Sequence, residues 1–80
     1  MAEQTPLPVS GYTKQSDEKI AAVNHNKMLE EQVLRTLDVL KGSGEVDLRW
    51  LAVGRTHIEE AFMAINRSIF QPQRTKLPGE

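Results

Sequence analysis

Arg55 is the residue whose type fits its position least well. Apolar side chains recur at helical spacing through residues 48–69, and Arg55 occupies one of the positions that this stripe requires. In one interpretation, the arginine extends out of the seam, the line of contact between two packed helices, and pairs with Glu59, four residues later. Alternatively, its planar guanidinium binds the oxygens of an anion such as phosphate. Gly54 removes side-chain bulk beside it and Thr56 adds a hydroxyl donor, which suits an anion site.

A second polar group, Asn24-His25-Asn26-Lys27, interrupts the apolar pattern of the first half of the chain. Four consecutive polar residues must occupy every side of a helix, including the side that packs. Lys27 forms a helical ion pair with Glu30 or Glu31, or it supplies a point charge for a phosphate. In the second case Asn24 or Asn26 reads a base edge, whereas His25 is best explained as part of a solvated turn.

Tyr12, the only tyrosine, either anchors a terminal arm by packing or stacks on a nucleobase. Trp50 is better explained by packing. The sequence has no Ser-His-Asp order and no glycine-rich phosphate loop after a strand, so we predict no catalytic residue and no enzyme. There is no cysteine, and His25 and His57 lack metal-ligand spacing, so neither a metal site nor a cofactor is expected.

Two helices must position these residues. Ser16 followed by two acids predicts a helix start, and a helix over residues 17–41 ends at a Gly-Ser-Gly segment. Asp47 is the candidate cap or first-turn acid of a second helix over residues 47–70, which Pro72 closes. We therefore expect an all-α fold, an antiparallel helical hairpin over residues 16–72. An N-terminal arm over residues 1–15 precedes it, and a polar tail over residues 73–80 follows.

Length and charge limit the remaining possibilities. Eighty residues make one small domain, which is marginal on its own. The second helix carries a further stripe of aromatic and small residues that a hairpin cannot cover: Trp50, Val53, Ala61 and Ala64. Another copy of the chain should cover it, so we expect a homo-oligomer. The net charge of −1 argues against duplex DNA or RNA as a partner. The lack of cysteine and of a long apolar run favours a cytoplasmic protein without a membrane partner.

The chain also resembles a known family. Gly11-Tyr12, an acidic helix start, Asn and Lys, and then the segment DLRWLAVGRTHIEEAFMAINRSIFQP are similar to the phage anti-CBASS sponges, which share a helical-hairpin domain with the Thoeris anti-defence sponges. The likeness covers residues 11–72, and residues 47–72 are its most specific part. The longer Thoeris sponges have extra strands that this chain lacks. Ala61 departs from the glycine of many relatives, and its methyl group alters how closely helices pack.

The resemblance implies a compact homohexamer that binds cyclic oligonucleotide second messengers without cleaving them and so blocks CBASS effector activation in the cytoplasm of the infected bacterial host. It assigns Tyr12 and Lys27 to cyclic dinucleotides such as cGAMP, in pockets between protomers. It assigns an arginine and a threonine to cyclic trinucleotides on the threefold axis. Arg55 and Thr56 match this pair, with Arg49 as a competitor for the arginine.

Two other functions stay open from the residues alone. A helical oligomerisation or adaptor module that binds a protein partner fits the same apolar stripes. A small DNA-binding regulator fits less well, because the chain is acidic and shows no recognition helix with a basic face.

Overall fold

The computed structural model describes residues 14–80, and within them the chain forms two helices. Helix α1 spans Asp17–Ser43 and helix α2 spans Leu48–Phe70. Three polar contacts run between the two halves of the hairpin, and they pair residue 15 with 70, 26 with 66 and 38 with 55. As the residue number in the first half of the chain rises, the number of its partner in the second half falls, so the two helices are antiparallel. The predicted all-α hairpin is confirmed.

Helix α1 begins where the sequence predicts. The Ser16 hydroxyl accepts a hydrogen bond from the Lys19 backbone N–H at 3.3 Å, and Asp17 and Glu18 lie in the first turn. A side-chain acceptor satisfies one otherwise unpaired N–H group, and acids favour the positive end of the helix dipole.

The predicted end of α1 at residue 41 is two residues early. Gly42 and Ser43 stay helical, and Gly44 is the residue that leaves the helix, with φ 73°. That conformation is easy for glycine and costly for residues that carry a Cβ atom. The Ser43 hydroxyl donates to the Leu40 carbonyl at 2.6 Å and accepts from the Glu45 N–H at 3.3 Å. These bonds tie the helix end to the connection.

Helix α2 is capped at both ends. The Asp47 carboxylate accepts from the Trp50 backbone N–H at 2.9 Å, so Asp47 is the N-cap rather than a first-turn acid. At the other end Gln71 adopts φ 48° and its N–H donates to the Arg67 carbonyl at 2.8 Å. Pro72 follows and cannot continue the helix.

The two helices enclose almost no core. Among residues 14–80 only Val23 is buried, with 3% of its surface exposed. The half-buried apolar residues of the described chain are Val33, Leu34, Leu37, Val46, Leu51, Ile58, Phe62, Ile69 and Phe70. These include the centre of the predicted α2 stripe, but its members Leu48 and Ile65 are exposed.

Large apolar side chains remain uncovered on the outer faces of the hairpin. Trp50 is 65% exposed and Met63 67%, and the same holds to varying degrees for Met28, Val39 and Val53. Large apolar side chains left this exposed on a small protein are suited to contact with another protein surface. The helices themselves are not membrane spans, since none in the described range is long and apolar enough to cross a bilayer.

The cap of α2 provides a test of this fold. Asp47→Ala should lower the free energy of unfolding by about 1 kcal/mol, because it removes the acceptor for the Trp50 N–H. Asp47→Asn keeps an acceptor oxygen and should stay within a few tenths of a kcal/mol of the wild type. Urea denaturation of all three proteins at one concentration measures the difference. Equal losses for the two variants would contradict the capping assignment.

Candidate functional site

Arg55 lies at the hairpin seam and reaches across it. Its Nη1 atom donates to Asp38 Oδ1 on α1 at 2.9 Å, and its Nε atom lies 3.9 Å from Glu59 Oε1 on the same helix. The Arg55 side chain is 41% exposed and that of Asp38 is 61% exposed. The predicted pairing with Glu59 is therefore present but long, and the stronger partner is the carboxylate of the other helix.

These acidic neighbours also set the protonation of the guanidinium. The hydrogen bond that Arg55 donates to Asp38 raises the pKa of Arg55 above its ordinary value, and the negative charges of Asp38, Glu59 and Glu31 act in the same direction. Partial desolvation opposes them. Arg55 is therefore cationic at neutral pH.

An open groove adjoins Arg55 near the connection between the helices. Its volume is about 280 Å³, and its lining residues are Leu37, Lys41, Leu48, Leu51, Ala52 and Arg55. Two cations on apolar walls suit a ligand that combines an anionic group with an apolar or aromatic part. Lys41 comes from the last turn of α1, so both helices supply positive charge to this groove.

The other two residues predicted for a cyclic trinucleotide do not line this groove. Thr56 is exposed and follows Arg55 directly, so it projects about 100° further around the helix. Arg49 lies against the Trp50 ring, with its guanidinium carbon 5.5 Å from the ring centroid. Arg49 and Thr56 are seven residues apart and so lie on the same side of α2, about two turns from each other, whereas Arg55 faces the groove.

Of the four polar residues 24–27 in α1, one lies at the seam and three lie on the surface. Asn26 is half-buried, and its Nδ2 group donates to Asn66 Oδ1 on α2 at 3.1 Å. Asn24, His25 and Lys27 are exposed. The expectation that one of the four packs inward is confirmed. Asn26 joins the helices, and Asn24 and Lys27 are the members that face outward.

Tyr12 lies outside the described residues. Nearby, the Gln15 side chain donates through Nε2 to the Phe70 carbonyl at 3.0 Å, which ties the start of the described chain to the end of α2. No group of three or more potential metal ligands occurs within residues 14–80.

Asp38 and Lys41 are the site residues that the sequence analysis missed. The sequence carried only an approximate signal, because counting symmetrically from a turn at residues 44–47 places residue 36, and not residue 38, opposite residue 55.

The described chain is thus a small all-helical hairpin with an open groove that two cations line, and with exposed apolar side chains on both helices. A comparison with family models finds the hairpin domain of Acb2/Tad1 over residues 6–70. The chain therefore belongs to the Acb2/Tad1 hairpin family, the anti-CBASS and anti-Thoeris sponges, and the resemblance noted from residues 11–72 is confirmed. No curated protein matches the chain significantly.

The Asn26–Asn66 contact gives a prediction about the seam. Asn66→Ala should lower the free energy of unfolding by about 1 kcal/mol, because it leaves a half-buried amide without its acceptor. The matched control is Asn24→Ala, at an exposed position two residues before Asn26, which should change the free energy of unfolding by less than about 0.5 kcal/mol. Chemical denaturation followed by circular dichroism measures both. A larger loss for Asn24→Ala would refute the division between seam and surface.

Proposed function

We propose that this protein is a phage anti-defence protein that sequesters cyclic oligonucleotide second messengers. It binds them without cleavage in the cytoplasm of the infected bacterial host, and the CBASS effector then lacks its activator. The match of residues 6–70 to the Acb2/Tad1 hairpin is the observation that carries this proposal. Sequestration requires affinity and abundance rather than turnover, so the protein needs neither a catalytic residue nor a cofactor.

The functional unit is a homo-oligomer, a hexamer by analogy with the family. The support is physical, since a hairpin with one buried residue in its described part and a 65% exposed Trp50 is poorly stabilised alone. Covering Trp50, Val53 and their neighbours with another copy removes apolar surface from water, at roughly 25 cal/mol per Å². The hairpin domain over residues 16–72 makes these contacts, the arm over residues 1–15 closes over ligand, and the tail over residues 73–80 lies outside both roles.

The cyclic dinucleotide site combines Tyr12, Lys27, Asn24 and Asn26 between protomers. Lys27 and Asn24 are exposed and therefore accessible to a ligand or to a neighbouring protomer. The Lys27 ammonium binds a phosphate and the Tyr12 ring stacks on a base. Asn26 already donates one N–H to Asn66, so its part in base reading uses its remaining polar atoms.

The cyclic trinucleotide site uses Arg55 and Thr56 on a threefold axis, with Arg49 as the alternative arginine. Three copies of one guanidinium then meet three phosphates, so that each favourable contact is repeated by symmetry. The half-exposed position of Arg55 and the apolar groove beside it support this assignment. Cyclic oligonucleotides are thus the proposed ligands, and duplex nucleic acid and membranes are not partners of this weakly acidic chain.

A second candidate is an oligomerisation or adaptor module for a protein partner. The exposed apolar side chains of both helices favour it, because they would suit another protein as well as another copy. The two functions differ in whether small anionic ligands bind at all.

One experiment separates the candidates. The purified protein is incubated with a panel of cyclic di- and trinucleotides, separated from free ligand and heated, and the released compounds are analysed by chromatography. We expect intact ligand from the sponge, degraded ligand from an enzyme, and no ligand from an adaptor. Light scattering on the same sample should give a mass several times that of one chain, and a stable folded monomer would contradict the shared pockets.

The two proposed sites predict separable defects. Tyr12→Ala should weaken cyclic dinucleotide binding about tenfold to a hundredfold, the effect of losing one base stack. Lys27→Ala should weaken the same class, because a phosphate loses its counter-charge. Arg55→Ala should abolish trinucleotide binding and leave dinucleotide binding nearly unchanged. Calorimetry with both ligand classes measures this, and equal damage to both by Arg55→Ala, with the oligomer intact, would show that the sites are one.

A further inference from the structure

The arginine proposed for phosphate binding already has an anionic partner within its own chain. Arg55 Nη1 donates to Asp38 Oδ1 at 2.9 Å, which is the length of a good charge-assisted hydrogen bond. A carboxylate and a phosphate offer the same kind of oxygen to the same guanidinium fork. A ligand phosphate that takes the Nη1 donor must therefore take it from Asp38.

The charges around Arg55 make this competition effective. Glu59 also approaches the guanidinium, at 3.9 Å, and Lys41 lines the same groove. Arg55 and Lys41 thus bring two positive charges to the groove, and Asp38 and Glu59 bring two negative charges. Each chain presents a neutral cluster to a ligand that carries one negative charge per phosphate. The attraction between this cluster and a ligand phosphate therefore depends on how far the Asp38 carboxylate can move away from Arg55.

We propose that Asp38 is an internal competitor for phosphate at Arg55 and so determines the affinity and ligand selectivity of that site. The inference rests on the proposed function, since it concerns the Arg55 site of a cyclic oligonucleotide sponge. In the unliganded chain Asp38 holds the guanidinium at the seam. A ligand that presents several phosphates to several Arg55 side chains displaces several carboxylates together, whereas a single phosphate or a stray anion displaces one with little gain.

This role makes a quantitative prediction for Asp38→Asn. Asparagine has nearly the same shape and no charge, so the variant frees the guanidinium and removes repulsion of the phosphate. An exposed ion pair contributes at most about a fivefold factor to an equilibrium constant. We therefore expect cyclic tri-AMP, used as the probe, to bind more tightly by up to about fivefold if one pair opens and by up to about a hundredfold if three open together.

Glu31→Gln is the matched control. Glu31 lies on the same helix two turns before Asp38, and it is similarly exposed, but it hydrogen bonds to Arg35 at 3.1 Å rather than to Arg55. The control removes the same charge from the same helix without freeing Arg55. It should change the affinity for cyclic tri-AMP by less than about twofold, since Glu31 acts on Arg55 through its charge alone, and less strongly than Asp38 or Glu59 does.

The experiment is isothermal titration of the wild type, Asp38→Asn and Glu31→Gln with cyclic tri-AMP and, separately, with cGAMP. Light scattering confirms an unchanged mass. Tighter trinucleotide binding by Asp38→Asn alone, with cGAMP affinity unchanged, supports the inference, and so does new trinucleotide binding by this variant where the wild type has none. Unchanged or weaker trinucleotide binding by Asp38→Asn overturns it, as does equal tightening by Glu31→Gln.

The cGAMP titration distinguishes a failure of the proposed sponge function from a failure of the role proposed for Asp38. If the wild type binds cGAMP and Asp38→Asn fails to improve trinucleotide binding, the sponge function stands and the role of Asp38 is wrong. If neither ligand binds to any of the three proteins, the proposed function fails and the inference fails with it.

Discussion

Two antiparallel helices give each other a neighbour on one side only, so a hairpin of this kind can bury little of its apolar surface. Val23 alone is buried within the described chain, and the next apolar residues along the seam are only half-covered. In the proposed homo-oligomer, neighbouring copies supply the free energy of burial that would normally come from a closed core. The exposed Trp50 and Met63 are therefore understandable as unfinished packing rather than as defects of the fold.

The same limit explains why polar residues occur in the seam. A closed core excludes water and penalises an unpaired charge heavily, whereas a half-open seam leaves Arg55 and Asp38 partly hydrated. Their ion pair contributes little to stability for this reason, and so it can open at little cost. A ligand-responsive contact is easier to build at such a position than inside a dry interior.

The sequence predicted the framework better than the site. Helix boundaries depend on local chemistry, and the serine and aspartate caps at residues 16 and 47 were visible in the sequence. The end of α1 was predicted two residues early because Gly42 is the first possible stop in the sequence. The left-handed backbone that ends the helix falls on Gly44 instead. The Arg55–Asp38 contact depends on register across the turn, which residue spacing within one helix does not reveal. Lys27, Thr56 and Tyr12 stay predictions, because their proposed roles involve other protomers.

The Asn26–Asn66 and Asp38–Arg55 contacts across the seam lie about three helical turns apart on both helices and fix the register of one helix against the other. One residue inserted within a helix rotates everything beyond it by about 100°, so it would misalign at least one of these contacts and move the apolar face with it. An extra residue in the connection at 44–47 carries no such penalty. Among natural variants of this hairpin, length differences should therefore accumulate at the turn and be rare within either helix.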